Sequence, residues 1–150
     1  MAEPPALDEF DRPILDVVAA DGRITIAALA ERVGLSKSPV QARLRSLEAR
    51  GVIRGYRALL DADALGRAHV AFVEVRLSDT REAALAAFNA AVRAVPAIEA
   101  CHMIAGSFDY LLKVRTGGMA EYRALLAEHV SRLPHVAATS TYVAMETVKE

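Results

Sequence analysis

The chain has 150 residues, of which 53% are hydrophobic, and a formal net charge of −1. These values allow one domain or two small ones with a core, but they exclude a protein that is basic throughout, and the single Cys101 excludes a framework of intrachain disulfides. The acidic start, MAEPPALDEF, and the lack of an apolar run of membrane-spanning length predict a cytoplasmic protein with no signal peptide and no membrane partner.

A first helix is predicted near the start of the chain. Its apolar residues recur at helical spacing and share one side: Phe10, Ile14, Leu15 and Val18. Asp8 can cap this helix, but Pro13 then lies beyond the first turn and forfeits a backbone hydrogen bond. Alternatively Asp11 is the cap and Pro13 lies in the first turn, where no bond is lost. We favour the second start and expect the helix to end near Asp21.

The next two predicted helices are joined by a tight turn. The first has one apolar face, formed by Leu29, Ala30 and Val33. Gly34 follows at the left-handed position where helices commonly end. We expect Ser38 to cap the second helix and Pro39 to occupy its first position, which tolerates proline. This helix should end at about Arg50, before Gly51.

The second helix of this pair has two different faces. One is apolar and carries Val40, Leu44 and Leu47. The opposite face carries Ser38, Gln41, Ala42, Arg45 and Ala49. Between residues 31 and 57 there are seven basic residues (Arg32, Lys37, Arg43, Arg45, Arg50, Arg54 and Arg57) and two acidic ones (Glu31 and Glu48), a local charge of 7 − 2 = +5.

A helix pair with a glycine turn and a basic, polar second helix is the helix-turn-helix pattern. A solvated surface helix is the alternative, and the local positive charge favours DNA. In a DNA complex the second helix enters the major groove while cations hold phosphates. The candidate DNA-binding residues are Lys37, Ser38, Gln41, Arg43, Arg45, Arg54 and Arg57. Ser38, Gln41 and Arg45 are expected to read base edges, with Arg54, Arg57 and cations at the helix end on phosphates.

The chain divides into two predicted domains. Residues 52–60, VIRGYRALL, form a strand or wing that completes a helix-turn-helix domain at 1–60. Residues 61–68, DADALGRA, have turn chemistry and are the expected linker. The second domain, 69–150, alternates strands at 69–77, 98–105, 108–116 and 136–148 with helices at 80–95 and 119–133. This βαββαβ order is that of a ferredoxin-like α+β sandwich.

One face of the predicted sheet should be covered by helices and the other exposed. Residues facing the helices are Ala71, Val73, Val75 and Leu77, with Leu85, Phe88, Val92, Val95, Tyr122, Leu125, Leu126 and Val130 from the helices themselves. Val70, Phe72 and Leu111 should lie on the other face. An exposed apolar face of a sheet marks an interface, which predicts a stable dimer.

The sequence does not support catalysis. The four histidines show no metal-ligand spacing, and no glycine-rich phosphate loop follows a strand. Cys101 and His102 are adjacent on a strand, so their side chains point to opposite faces and cannot pair. We therefore expect an inert, buried cysteine, no enzyme, no metal and no cofactor.

The hairpin 102–112, HMIAGSFDYLL, is the most informative part of the second domain. Gly106 and Ser107 suit a two-residue type II′ turn. Asp109 would lie at the tip of an otherwise apolar pair of strands. Either it is an ordinary turn carboxylate facing water, which the residues alone favour, or it accepts a ligand ammonium beside backbone N–H groups freed by Gly106.

The chain resembles the Lrp/AsnC (feast/famine) transcriptional regulators, most closely the leucine-responsive type, over nearly its whole length. The matching segments are LDEFDRPIL, DGRITIAALAERVGLSKSPV, RLRSLEARGVIRGYRALLD, CHMIAGSFDYLLKV and STYVAMETVKE. The resemblance implies a winged helix-turn-helix domain on double-stranded DNA. It also implies a ferredoxin-like domain that dimerises, assembles often to octamers, and binds an amino acid effector between dimers.

Matched to the family's motifs, the candidate effector-binding residues are Met103, Gly106, Asp109, Met119, Ser140, Thr141 and Tyr142. Given the resemblance, we favour the interpretation of Asp109 as an acceptor for the ligand ammonium. Ser107 stands where such hairpins often carry an acid, which could change the effector. Two other hypotheses remain: an architectural DNA protein without effector, and a small enzyme or metabolite-binding module whose helical domain only dimerises.

Overall fold

The computed structural model describes residues 6–149. Residues 1–5 of the predicted first domain, and residue 150 of the second, lie outside the described part of the chain. The chain divides into two compact units between Leu59 and Leu60, the N-terminal and C-terminal units below. Within residues 6–149 no helix is long and apolar enough to cross a membrane.

The N-terminal unit is built from three helices. They are α1 (Asp11–Ala20), α2 (Ile26–Val33) and α3 (Lys37–Ala49). Their inward faces form a small aliphatic core of Ile14, Val18, Leu29, Ala30, Val40 and Leu47. The predicted apolar faces of α2 and α3 are therefore confirmed, with Val33 and Leu44 partly buried beside the core. In α1, Ile14 and Val18 are buried and Leu15 partly so, but the expected place of Phe10 on this face is wrong, since it precedes the helix and is 42% exposed.

The first helix begins at Asp11, and neither aspartate occupies the N-cap position, which is Phe10. The Asp8 carboxylate nevertheless accepts hydrogen bonds from the N–H groups of Phe10 and Asp11, both at 2.9 Å. The expected cap by Asp11 is thus wrong, because the hydrogen bonds at the start of the helix are accepted by the side chain of Asp8, which precedes the helix. Pro13 lies in the first turn, where its missing N–H costs no intrahelical bond.

The turn between α2 and α3 follows the prediction at its first end only. Gly34 ends α2 with φ 69°, the left-handed conformation that glycine adopts cheaply. The next helix begins two residues before the predicted start, with Ser36 at the N-cap and Pro39 in its third position. The first four N–H groups of a helix have no intrahelical acceptor, so proline is tolerated there as well. The predicted end is confirmed, since Gly51 follows the C-cap with φ 70°.

Residues 52–60 form no strand, so the predicted strand is wrong for this stretch. The N–H groups of Val52 and Ile53 both bond the Leu47 carbonyl, at 2.9 and 3.1 Å, which folds the chain back onto the end of α3. Tyr56 then donates its hydroxyl to Glu48 Oε1 at 2.9 Å. No second extended segment lies beside this stretch in the described N-terminal unit, and a strand needs a partner.

The C-terminal unit has the predicted βαββαβ order. Its elements are β1 (His69–Leu77), α4 (Glu82–Arg93), β2 (Ile98–Met103), β3 (Tyr110–Thr116), α5 (Met119–Glu128), a 3-10 turn (Val130–Arg132) and β4 (Val136–Val143). The antiparallel sheet has the strand order β2-β3-β1-β4. One face packs on both helices, and the ferredoxin-like fold is confirmed.

The core of this unit lies between the sheet and the two helices. Its buried residues are Ala71, Val73, Val75, Leu77, Phe88, Val92, Tyr110, Leu112, Val114, Tyr122, Leu125, Val130 and Leu133. Leu85, Val95 and Leu126 are only partly buried. On the other face Phe72 is 37% exposed, but Val70 is buried at 3%. Val70 pairs across the strands with Arg115, which is itself buried on the same face, so the expected exposure of Val70 is wrong.

Several predicted element boundaries are too long. The second predicted helix of the sandwich breaks after Glu128 into the 3-10 turn, and β4 ends at Val143. The hairpin strands end at Met103 and Tyr110, so residues 104–109 connect them and the two-residue type II′ turn is wrong. Gly106 does not have the positive φ which that turn requires. The loop is instead closed by the Ile104 N–H, which bonds the Asp109 carbonyl at 2.8 Å.

The expected linker, residues 61–68, is a compact turn. The N–H of Arg67 bonds the Ala62 carbonyl at 2.8 Å. Arg67 also donates Nη2 to the Arg115 carbonyl at 3.2 Å, and Arg115 donates Nη1 to the Arg67 carbonyl at 3.4 Å. The end of this segment is thus bonded to β3. Its role as a hinge, and the domain bounds at 60 and 69, stay predictions.

Candidate DNA-binding and effector sites

The α3 helix presents one buried face and one exposed face. Val40 and Leu47 are fully buried, whereas the side chains of Ser38, Gln41 and Arg45 are exposed. Lys37 at the start of the helix is also exposed, and so are Arg54 and Arg57 beyond its end. An open groove between the starts of α2 and α3 is lined by Thr25, Ala27, Ala28, Ala30, Glu31, Leu35, Ser36, Lys37 and Ser38.

Arg43 departs from the predicted set of DNA-binding residues. Its Nη1 forms an ion pair with Asp8 and another with Asp11 Oδ1 at 2.9 Å, and only 29% of its side chain is exposed. The Arg43 guanidinium, through its hydrogen bond, lowers the pKa of the Asp8 carboxyl below its ordinary value. The pKa of Arg43 is correspondingly raised, first by its hydrogen bonds to Asp8 and Asp11. The Arg43 cation is thus paired within the unit, and its assignment as a DNA-binding residue stays a prediction.

Arg50 is directed inward in the same way. Its Nη1 lies 3.6 Å from Asp11 Oδ2, and its Nη2 donates to the Ala6 carbonyl. Of the seven basic residues between 31 and 57, Arg43 and the exposed Arg50 are therefore paired within residues 6–59, and the other five are exposed: Arg32, Lys37, Arg45, Arg54 and Arg57. The positive charge that can meet DNA is smaller than the sequence count.

The Asp109 carboxylate is bonded to the neighbouring strand. Its Oδ2 accepts the Leu77 N–H at 2.7 Å, and the Asp109 N–H bonds the Val75 carbonyl at 3.0 Å. Leu77 follows the last pair of β1 with β3, Val75 with Tyr110, so its N–H lies beyond that ladder and is available for this contact. Asp109 is half-buried at the base of the loop. Its expected place at a solvated tip is wrong, because the loop is longer than predicted.

The hairpin loop brings three of the predicted effector residues to one end of the sheet. Met103, at the end of β2, is 61% exposed, and Gly106 is exposed within the loop that Asp109 closes. Arg76 Nη2 donates to the Ser107 carbonyl at 3.0 Å and holds the loop against β1. Met103, Gly106 and Asp109 therefore form one group, the hairpin group.

The other effector candidates lie elsewhere. Met119 follows the far end of β3, whereas Asp109 directly precedes that strand, and seven residues of strand span about 20 Å. Ser140 and Tyr142 pair with Glu74 and Phe72 on the open face of the sheet.

Thr141 points to the opposite, helix-covered face. Its Oγ1 forms a hydrogen bond with the Tyr122 hydroxyl there. Within one chain, the predicted effector residues are therefore not brought together into one site.

Sequence reasoning missed the contacts that hold these sites in place. Arg76 and Leu77 fix the hairpin loop, and Asp8 with Asp11 holds the arginines of α3. Arg76 was detectable as a lone cation in an apolar strand. The Leu77 N–H carries no side-chain pattern, since it becomes available only because the pairing of β1 with β3 stops at Val75.

The cysteine lies apart from the hairpin group. Cys101 pairs with Leu112 on the helix-covered face, while His102 pairs with Leu111 on the open face, so the two side chains diverge as predicted. Burial is the main influence on the Cys101 thiol and raises its pKa, and the charge of Arg93 partly offsets this rise. Within residues 6–149 no three His, Cys, Asp or Glu side chains are grouped as a metal site would need.

Comparison with known proteins assigns both units. Residues 7–54 match the winged helix-turn-helix DNA-binding family, and residues 70–150 match the Lrp/AsnC ligand binding domain. The proline dehydrogenase transcriptional activator of Rhodobacter capsulatus is 58% identical over 144 residues, which are 96% of this chain and 94% of that protein. The leucine-responsive regulatory protein of Escherichia coli K12 is 46% identical over 144 residues, 96% of this chain and 88% of that protein.

A solved structure agrees with these relatives. The transcriptional regulator from Neisseria meningitidis, in its complex with L-Met, superposes with a TM-score of 0.89 at 31% identity, covering 97% of this chain and 94% of that one. The predicted resemblance to Lrp/AsnC regulators is thereby confirmed, and leucine-responsive proteins are among the similar relatives. The Rhodobacter activator has a higher identity than the leucine-responsive protein of Escherichia coli K12. With a helix-turn-helix unit followed by a ferredoxin-like unit, each matched in its place, the chain belongs to the Lrp/AsnC family of transcriptional regulators.

Proposed function

We propose that this chain regulates transcription by binding specific DNA through α3 and by responding to an amino acid effector. The observation that carries the proposal is the division of α3 into a fully buried apolar face and an exposed polar face. We further propose that the protein acts in the cytoplasm, where its DNA lies, and that its function requires no catalytic activity and no cofactor.

On DNA, the exposed residues of α3 read sequence while surrounding cations hold the backbone. Ser38, Gln41 and Arg45 lie on the exposed face and can reach base edges in the major groove. Lys37, Arg54 and Arg57 are exposed near the two ends of the helix and neutralise phosphates. The phosphate contacts set the overall affinity, and the base contacts set the choice of site.

The effector is an amino acid held at the hairpin group. A zwitterion needs an anion for its ammonium and donors for its carboxylate. The second Asp109 oxygen, Oδ1, serves as the acceptor, since Oδ2 receives the Leu77 N–H. The L-Met complex of the Neisseria protein and the names of the leucine-responsive and proline dehydrogenase regulators support an amino acid as the ligand class.

The complete effector site includes more than one copy of the chain. Met119 and the residues Ser140, Thr141 and Tyr142 lie away from the hairpin group within one protomer, so a site that uses all of them needs a neighbouring protomer. Phe72, Tyr142 and the half-buried Leu111 are apolar residues on the open face of the sheet. We propose that this face forms a homodimer, which assembles further to an octamer.

The DNA function is tested on a duplex that the wild-type protein selects from a random pool. Arg45→Ala should weaken binding to this duplex by about 1–3 kcal/mol and relax its base preference. Arg12→Ala is the matched control, an exposed arginine of α1 outside the proposed interface, and should change affinity by less than about 0.5 kcal/mol. Binding is measured by fluorescence anisotropy. If the two variants lose equal DNA affinity, the proposal that α3 recognises bases is contradicted.

The effector function is tested by calorimetric titration with each of the common amino acids, followed by light scattering and DNA binding with those that bind. We expect at least one amino acid to bind and to change either the assembly or the DNA affinity, since a ligand shifts only an equilibrium whose states it binds unequally. Full DNA affinity with no response to any amino acid would favour the architectural alternative.

A further inference from the structure

The acidic start of the first helix is bonded to the recognition helix by a cluster that the proposed DNA contacts do not use. We propose that Asp11 positions α3 through Arg43 and Arg50, and that these two arginines, although they belong to the most basic stretch of the chain, do not hold DNA phosphates. Asp8 completes the cluster, called the Asp11 anchor below.

The Asp11 carboxylate is the centre of the anchor. Asp11 is only 5% exposed, yet both of its oxygens have a cationic partner. Oδ1 accepts from Arg43 Nη1 at 2.9 Å, and Oδ2 lies 3.6 Å from Arg50 Nη1. Asp8 binds the same Arg43 nitrogen from the solvent side, and the Arg43 guanidinium carbon lies 5.0 Å from the centre of the Phe10 ring. The segment before α1 and its first residue thus enclose the Arg43 side chain.

Two attachments seven residues apart fix a helix more firmly than one. Seven residues are almost two turns of an α-helix, so Arg43 and Arg50 lie on the same side, about 10 Å apart along the axis. Bonds to one carboxylate from both positions restrict the sliding of α3 and its rotation about its own axis. The base-reading residues depend on that rotation, because Gln41 and Arg45 lie about 160° around the helix from Arg43.

Burial decides between Asp11 and a phosphate as the partner of Arg43. A buried carboxylate must stay paired, and leaving it without its cations is costly. A phosphate could bind Arg43 only by leaving the buried Asp11 carboxylate unpaired. Arg45, Arg54 and Arg57 are exposed and have no ion-pair partner among residues 6–149, so they lose none on binding DNA. Arg43 and Arg50 are therefore positioning residues, and the exposed arginines are the ones available to DNA.

The experiment compares full-length variants on two duplexes, the duplex selected from a random pool and an unselected one, over a salt series. Arg43→Gln should weaken binding to the selected duplex about tenfold or more while the slope of log K against log salt stays at its wild-type value, because no phosphate contact is lost. Arg57→Gln is the matched control for a phosphate contact. It should reduce the magnitude of that negative slope by about 0.9 and weaken binding to both duplexes alike.

Asp11→Asn separates positioning from simple charge. Removing a negative charge near DNA should strengthen binding to both duplexes if the acid acts only by repulsion. The proposal expects the opposite for the selected duplex, a loss similar to that of Arg43→Gln. The double variant Asp11→Asn/Arg43→Gln should lose little more than either single one, since the two residues act as one unit.

All variants are compared below their own melting temperatures, measured by circular dichroism. If Asp11→Asn is unfolded at the assay temperature, Arg50→Gln takes its place, because it removes one attachment and leaves the Arg43 pair intact; the same loss of preference at an unchanged slope is expected. If Arg43→Gln reduces the magnitude of the salt slope by about 0.9 and weakens binding to both duplexes equally, Arg43 is a phosphate contact and the proposal is overturned. An unchanged preference in Arg43→Gln and in the Asp11 or Arg50 variant would also overturn the proposal.

Discussion

The two units of this regulator arrange their functional residues in different ways. In the N-terminal unit the proposed reading residues share one face of a single helix, and one chain presents them all. In the C-terminal unit the candidate effector residues lie at two ends and two faces of a sheet. The comparison teaches that residues on one face of a helix are presented together by one chain, whereas the effector site we propose, with residues distributed around a sheet, requires neighbouring chains.

The units also differ in what holds them together. Among residues 6–149, six buried apolar residues form the core of the N-terminal unit and thirteen form that of the C-terminal one. A small core leaves little margin of stability, because the fraction of surface buried on folding rises with size. The N-terminal unit supplements its core with the Asp11 anchor. The C-terminal unit instead uses main-chain pairing along four strands.

The largest expected effect comes from truncating the smaller core. Leu47 and Leu112 are both fully buried, and replacing either leucine with alanine should cost about 2–5 kcal/mol. Leu47→Ala should unfold the N-terminal unit and abolish DNA binding, whereas Leu112→Ala should leave a folded, less stable sheet. Urea denaturation followed by circular dichroism, with DNA binding at 25 °C, measures both. Normal DNA binding by Leu47→Ala would show that the smaller core is not the weaker one.

The second effect concerns the charge at the base of the hairpin loop. Asp109→Ala should weaken binding of the best-binding amino acid by about ten- to a hundredfold, the loss of one charge-assisted hydrogen bond. It should also destabilise the C-terminal unit, because the Leu77 N–H loses its acceptor. Asp109→Asn is the informative companion, since its amide oxygen can still accept from Leu77 while the charge is gone.

Calorimetric titration and urea denaturation of the two Asp109 variants separate charge from structure. We expect Asp109→Asn to keep most of the stability and to lose effector binding. If Asp109→Asn binds the amino acid like the wild type, the carboxylate only holds the loop against β1. DNA affinity without effector should stay near normal in both variants.

A smaller effect is expected within the C-terminal unit, where the turn 61–67 packs against Gly117. A Cβ at Gly117 would lie 2.9 Å from the Gly66 carbonyl oxygen, whereas a Cβ at Gly118 meets no atom within 4 Å. Gly117→Ala should therefore cost about 1–3 kcal/mol and loosen the turn, and Gly118→Ala is the control. Limited trypsin digestion should cut faster after Arg67 in the first variant only. Equal digestion rates in both variants would show that this turn is not held by close packing.

The smallest effect is a pH dependence at the surface of the C-terminal unit. The Arg81 side chain, through its hydrogen bonds, lowers the pKa of Asp79 from 3.8 to about 2. Because the folded pKa lies below the unfolded one, the pair's contribution to stability is present above pH 3.8 and is lost as the pH falls toward 2. An NMR titration of the Asp79 carboxyl should show a midpoint near 2, and Arg81→Ala should return it toward 3.8. A midpoint that Arg81→Ala leaves unchanged would contradict this assignment of the cause.

The sequence by itself determined the helices, the order of strands and the faces of α3. Leu29 and Val33 in α2, and Val40, Leu44 and Leu47 in α3, recur at helical spacing. Gly34 and Gly51 follow their helices in the left-handed conformation that glycine adopts most readily. The alternation along β1 determined which side faces the helices. These features follow from repeats within one segment, so no knowledge of distant residues was needed.

The tertiary structure alone decided which partners these elements have. The Arg43 and Arg50 cations turn inward because Asp11, more than thirty residues away, is buried beside them. Asp109 accepts the Leu77 N–H because the pairing of β1 with β3 stops before Leu77, and the length of β3 separates Met119 from the hairpin group. Charge counts and alternation describe a segment in isolation. Ion pairs, strand register and distances across a sheet depend on packing between residues far apart in the chain, and no local pattern records them.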